Sequence, residues 1–325
     1  MRRCIVLIIL LCSACLLAPN AYAPNKLRRV GILMSVANDQ EGSARAQVFQ
    51  VKLQELGWIE GQNIEYAICW ADGDASRAEA CAASLVDYRP DLIFTNGPES
   101  LTAIRHRTAT IPVVFTQIGE PVQSGLVASL ARPGGNITGS VSFEYTIAGK
   151  WVELLKQVAP GMQRLGVLQS PTAFTHPGYL RAIEEAAHLL GMSVVPASAS
   201  TADGVRVAIE TFSHTVDGMI VLPSTAATMN RTFIAALALS RGLPAIYAYR
   251  LFPASGGLIS YGSSVTEIAR QSAAQADRIL RGTRAGDLPV QLAPKFELVI
   301  NLKTAKALGL TVPPELLIRA DELIE

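Results

Sequence analysis

Lys295-Phe296-Glu297-Leu298-Val299-Ile300-Asn301-Leu302-Lys303-Thr304-Ala305-Lys306-Ala307-Leu308-Gly309-Leu310-Thr311-Val312-Pro313 is the stretch from which the fold is read. Residues 296–301 are rich in aromatic, β-branched and leucine side chains, the composition of a short strand. Asn301 then offers a side-chain oxygen where a helix over 302–308 needs an N-cap, because the first N–H groups of a helix have no partner inside it. Gly309 stands where the chain leaves that helix through a left-handed residue, and Pro313-Pro314 blocks any continuation. A strand passing directly into a capped helix is the unit of layered α/β proteins.

The same alternation extends outward over the chain. A first series predicts strands at 29–36, 63–70, 91–95 and 112–116, with helices near 41–56, 76–88 and 99–107. A second predicts strands at 164–169, 192–196, 218–222 and 243–247, with helices near 178–190, 203–212 and 226–241. Gly134-Gly135-Asn136 punctuates the end of the first series and residues 254–257 the end of the second. A strand at 258–261 follows, then a helix to 280 that opens on Ser264-Val265-Thr266-Glu267, a capping-box spacing. Short β runs separated by helices predict parallel βαβ layers, hence an α/β fold.

Met1-Arg2-Arg3 and the uncharged run over 5–18 predict a signal peptide over 1–23, the run being short for a membrane span. Ala21-Tyr22-Ala23 fits a small-x-small cleavage site, and Cys12-Ser13-Ala14-Cys15 offers the alternative of a lipid on Cys15. Both readings place the mature chain outside the cytoplasmic membrane, periplasmic, free or lipid-anchored. About 300 residues then remain, more than one core usually organises, so two lobes are expected. The whole chain carries 28 basic and 27 acidic residues, and loss of Arg2 and Arg3 takes the balance to −1. No basic block supports nucleic-acid binding, and no second apolar run reaches membrane length. Cys69 and Cys81 stand outside the leader; in an oxidising compartment they either pair or lie as two separately buried thiols.

Two further segments bear on family: Glu55-Leu56-Gly57-Trp58-Ile59-Glu60-Gly61-Gln62-Asn63-Ile64 and Leu130-Ala131-Arg132-Pro133-Gly134-Gly135-Asn136-Ile137-Thr138-Gly139. With the stretch from Lys295, and in that order, they resemble the tryptophan/tyrosine-type solute-binding proteins of ABC importers. The resemblance implies a type I periplasmic binding protein: two Rossmann-like lobes with parallel sheets, joined by three crossover segments. It puts residues 28–142 and 255–288 in lobe one, and 143–254 and 289–325 in lobe two. It implies a monomer that captures a small solute between the lobes, an amino acid, with an aromatic one as the narrower expectation. Its partners would be an ABC permease and the ATPase of that permease, with membrane contact only through them or a lipid anchor. Glu120 stands where the family usually shows Asp, and its longer side chain would shorten the pocket.

In doubly wound sheets, ligands lie at the carboxyl ends of strands, against exposed helix N-termini. In lobe one this nominates Ser35, Asn38, Asn96, Gly97, Thr116, Gln117 and Glu120. In lobe two it nominates Ser170, Thr172, Ser224 with Thr225, Tyr249 and Arg250, and Tyr261 with Ser263 on the returning strand. These hydroxyl and amide groups suit a small polar solute, or else they cap the helices that follow. Arg250 suits a carboxylate, with Tyr247, Tyr249 and Phe252 nearby as an aromatic wall, or else it makes an ordinary salt bridge. Phe143, Tyr145 and Phe174 are placed to stack on a ring, whereas Trp58 and Trp151 read as core.

Nothing points to catalysis. The chain has no G-x-S-x-G elbow, no Walker A loop, no G-x-G-x-x-G after a strand, and no His or Cys set at metal spacing. No cofactor, metal or catalytic residue is therefore expected. The alternative class is a ligand-sensing module with the same fold. Such a module would carry a DNA-binding or transmembrane output segment.

Overall fold

The computed structural model describes residues 27–325, so the expected leader, its cleavage site and the Cys15 lipid site lie outside the described residues. The chain begins with β1 (Arg28–Met34), α1 (Gln40–Glu55), β2 (Ile64–Trp70), α2 (Ala75–Asp87), β3 (Leu92–Asn96), α3 (Pro98–Arg107), β4 (Val113–Ile118) and β5 (Ile137–Val141). It continues with α4 (Ile147–Val158), β6 (Arg164–Gln169), α5 (His176–Leu189), β7 (Ser193–Ser198), α6 (Ala202–Thr215), β8 (Gly218–Val221), α7 (Thr225–Met229), α8 (Arg231–Ser240), β9 (Ala245–Tyr247), α9 (Leu251–Ala254) and β10 (Ile259–Ser263). Last come α10 (Val265–Leu280), β11 (Gln291–Leu292), β12 (Phe296–Asn301), α11 (Leu302–Ala307), α12 (Pro314–Arg319) and β13 (Glu322–Ile324).

Among the described residues these strands form two sheets, in the orders β11-β5-β4-β3-β1-β2 and β13-β12-β10-β9-β8-β6-β7. The first is parallel throughout; in the second, β12 runs antiparallel to β10. The α/β class and the Rossmann-like parallel layers are thus as expected. Each sheet with its helices is called a lobe below.

A parallel sheet covered by helices on both faces is apolar on both sides. Val30, Ile32 and Met34 of β1 face a cluster with Phe49 and Leu53 of α1 and Ala276 and Ile279 of α10. Leu33 faces the other way, with Ile93, Phe115, Leu85 and Leu101. Strand alternation alone produces this division. The second lobe is built around Trp151, Tyr179, Ile183, Phe212 and Ile246.

The chain passes between the sheets three times among the described residues: after β5, after β10 and after β11. Two of these passages lie elsewhere than the resemblance implied. The strand expected near 258–261 does not begin lobe one's second segment. It is β10, whose Ile259 and Ser260 pair with Ile246 and Tyr247 in the second sheet. The return to lobe one therefore follows Ser263 and not residue 254. It continues past residue 288, because Gln291 pairs with Ser140 of β5 in the first sheet. The two later passages are pinned side by side where Ser264 N donates to Lys295 O at 3.2 Å. Ser264 stands at the N-cap of α10 as expected, but its side chain makes no capping bond.

The opening stretch folds as read. Asn301 accepts from Thr304 N at 2.9 Å, and its amide donates to Pro253 O at 2.9 Å. Gly309 has φ 68°, the left-handed residue at the end of α11. Cys69 and Cys81 pair, with Cα atoms 5.6 Å apart, which decides between the two readings of the thiols.

Candidate binding cleft

Small polar residues from strand ends and loops of both lobes line one cavity. Ser35 N donates to Asn96 Oδ1 at 2.8 Å, and Asn96 Nδ2 donates to Gln117 Oε1 at 2.8 Å. Gln117 reaches this position because β4 is irregular between Phe115 and Ile118, and Gln117 has φ 58°. A bulge of this kind re-aims one side chain and is costly for a non-glycine residue unless its surroundings hold it. From the second lobe, Thr225 Oγ1 donates to Glu99 Oε2 at 3.0 Å, across the gap.

Ser35, Asn96, Gly97, Gln117, Ser224 and Tyr249 surround a polar cavity of about 30 Å³, room for one or two waters. A larger cavity of about 250 Å³ adjoins it, walled by Val48 of α1, Leu251 and Ala254 of α9, and Ser263 and Val265 at the second passage. Arg45 and Tyr249 line both. Arg45, on α1, is only 7% exposed and directs Nη1 toward Gln117 Oε1 at 3.5 Å. Burial pushes the Tyr249 hydroxyl up to about 12; the Arg45 charge and a hydrogen bond with Gln117 work against that rise. The junction therefore holds a cation and a neutral phenol at ordinary pH.

Of the other nominated residues, Ser224 and Thr225 line the polar cavity and Arg250 the larger one, and the rest lie outside both linings. Asn38 is exposed and accepts from Ser43 Oγ at 2.8 Å, a local contact at the start of α1. Glu120 turns back to accept Tyr145 N at 2.8 Å and lines a separate cavity with Val122, Glu144 and Leu292. Thr116 is buried, and among the described residues its hydroxyl has no hydrogen-bond partner. Ser170 and Thr172 contact each other, Oγ to Oγ1 at 3.0 Å, and Thr172 faces an outer groove with Phe174. Ser224 Oγ accepts from Ala227 N at 3.0 Å, the capping role weighed as its alternative. Tyr261 stacks on Phe296, ring centres 5.8 Å apart, inside the second lobe's packing. Arg250 edges the larger cavity, but its guanidinium pairs with Glu322 of β13. Phe143, expected to be free to stack, is buried against Trp151 and Tyr249.

Arg45 and Glu99 were not nominated. Arg45 lies four residues before Phe49 and eight before Leu53, on the helical stripe that faces the first lobe's core. A charged residue on an inward stripe was the available signal.

His176 does more than a lone loop histidine would. Its Nδ1 accepts from Ser170 N at 2.9 Å, which leaves the proton on Nε2, 3.1 Å from Pro223 O. The ring so ties the loop after β6 to the loop before α7. Burial pushes its pKa from 6.5 down to about 4, the Pro223 carbonyl opposing. The unfolded chain thus binds a proton that the folded chain refuses between these values, so stability falls as pH falls through that window. The full span is worth about 3 kcal/mol. Urea midpoints at pH 7 and 4.5 should fall less for His176→Gln than for the parent; equal falls would remove His176 as the cause.

Comparison with known proteins places the whole assembly. Residues 29–324 match the family model described as ABC transporter substrate binding protein. The chain belongs to that family. A curated relative, the tyrosine-binding protein of Clostridioides difficile (strain R20291), is 26% identical over 285 residues, covering 88% of this chain and 82% of its own. A conserved domain protein from Vibrio cholerae O1 biovar El Tor superposes with a TM-score of 0.86 at 28% identity, over 92% of this chain and 100% of its own. An ABC domain in complex with L-Trp from Streptococcus pneumonia reaches 0.85 at 22% identity, over 92% and 100%, and shows the fold alone. ABC transporter substrate-binding proteins work outside the cytoplasm with a small-molecule substrate and a transporter. Among the described residues no helix is long and apolar enough to cross a membrane.

Proposed function

We propose that this substrate-binding protein captures an amino acid with an apolar or aromatic side chain between its lobes and delivers it to an ABC permease for import. The observation that carries this reading is the junction at Arg45 and Tyr249, a buried cation between a polar cavity and a larger, partly apolar one. The carboxylate would meet the Arg45 guanidinium, where a charge-assisted bond in a dry site is strong. The N-terminus of α3 lies beside it, opening on Gly97 with no side-chain cap, and favours negative charge. The side chain would occupy the cavity of about 250 Å³, against Val48, Leu251 and Ala254. The polar cavity, at about 30 Å³, is too small for any amino acid while the lobes stand as they do. Entry therefore requires the lobes to part, and binding favours their closure. The curated tyrosine-binding relative supports the choice of class.

Native mass spectrometry of the freshly purified mature chain, followed by calorimetry with L-tyrosine, L-tryptophan and L-leucine, tests the proposal. One of these, or a co-purified amino acid, should bind with a Kd of about 10 μM or tighter, roughly 7 kcal/mol. A co-purified solute without a carboxylate, or no binding of any amino acid, would defeat it.

A further inference from the structure

Helix α7 is where the second lobe meets the lip of the first. Its first residue, Thr225, bonds Glu99 and stands 3.5 Å from Ser35 Oγ. One turn later, Met229 packs against the first lobe's core cluster. They meet the first lobe at Gly73, in the lip formed by residues 71–74, and at Gly97. A Cβ at Gly73 would lie 3.7 Å from Met229 Cγ, and one at Gly97 would lie 3.5 Å from Thr225 Oγ1. Glu99 also lines the outer groove with Thr172 and Phe174, while Thr225 lines the polar cavity. The Glu99–Thr225 contact therefore stands between that groove and the cavity.

The lip itself is held on the inside by the chain that forms the site. Ala71 N donates to Met34 O at 2.8 Å, and Gly73 N donates to Ser35 O at 2.7 Å. On the outside it follows β2, the last strand of its sheet among the described residues. There the Cys69–Cys81 bridge joins β2 to α2 and closes a covalent ring around residues 71–74.

We propose that α7 is the latch of the cleft, with Thr225 and Met229 docking on Glu99 and the lip. We further propose that the Cys69–Cys81 bridge governs this latch by holding the lip in place. The bridge lies in one lobe, yet its effect is exerted on a helix of the other. A cross-link of this kind restricts the loop it encloses, and Gly73 of that loop is where Met229 and Thr225 come into contact range. The effect on solute escape rests on the reading of the cleft given above; the docking of α7 does not.

Hydrogen exchange on the mature chain without added solute separates the two. In Glu99→Ala, and in the paired variant Cys69→Ala/Cys81→Ala, peptide 224–230 should exchange about fivefold faster while β8 stays protected. Dissociation of L-tyrosine, the probe, should quicken by a similar factor. Unchanged exchange over 224–230 in Glu99→Ala overturns the latch. Faster exchange over 71–74 with 224–230 unchanged, in the paired variant, overturns the part given to the bridge. If the paired variant does not fold, Gly73→Ala moves the lip with the bridge intact, and an undisturbed α7 there overturns the proposal. A parent chain that fails to bind L-tyrosine counts against that choice of probe and leaves the exchange result to decide the latch.

Discussion

Arg45→Ala should lower the affinity for the bound amino acid about ten- to a hundredfold, the largest effect of any single change in the cleft. The side chain is 7% exposed and lines both cavities, so a carboxylate placed there trades water for a fixed guanidinium. Hydrogen bonds to charged groups contribute about 1.5–3 kcal/mol, and each 1.4 kcal/mol is about a factor of ten in Kd. Arg45→Lys should recover only part of the loss, because an ammonium cannot offer the paired donors of a guanidinium. Arg250→Ala should cost less than Arg45→Ala: it edges the larger cavity, but its guanidinium pairs with Glu322 within the same lobe. Calorimetry with the solute identified by mass spectrometry measures all three, with thermal midpoints of the solute-free chains alongside. An Arg45→Ala chain that folds normally and binds unchanged would remove the guanidinium from the site.

Trp151→Ala should cost about 3–5 kcal/mol of second-lobe stability, the range for deleting a large aromatic from a packed core. Trp151 is 1% exposed and packs between Phe143 and Tyr179, ring centres 5.9 and 5.7 Å away. Its indole Nε1 also donates to Tyr261 O at 2.7 Å, which ties α4 to β10 next to the passages between lobes. Trp151→Phe keeps most of the volume but leaves that carbonyl without its donor, and should cost about 1–3 kcal/mol. The two lobes can unfold in separate steps, so denaturation should be followed by a probe in each. A Trp151→Ala chain within about 1 kcal/mol of the parent would show that the cavity collapses, contrary to the dense packing drawn here.

The local structure of this protein was legible in its sequence because local structure answers to local periodicity and to capping chemistry. The strand over 296–301, the cap at Asn301 and the left-handed exit at Gly309 are decided by neighbours a few residues away. So is the α/β class, through the regular exchange of short apolar runs and helices. The sheet to which a strand belongs is another matter. Residues 259–263 carry a pattern that either sheet could accept, and only the pairing of Ile259 with Ile246 settles it. Arg250 looked free to meet a ligand because its partner, Glu322, is 72 residues away. Gln117 enters the cleft through a bulge that no period announces, and Cys69 and Cys81 pair only because β2 and α2 lie side by side. Arg45 is the clearest case. Its sequence shows a charge on an inward helical stripe, but packing against the second lobe turns that position into the wall of a cavity. What depends on a few consecutive residues was decided by the sequence alone. What depends on two distant segments meeting, as at Arg45 and Tyr249 or Glu99 and Thr225, was decided only by the tertiary structure.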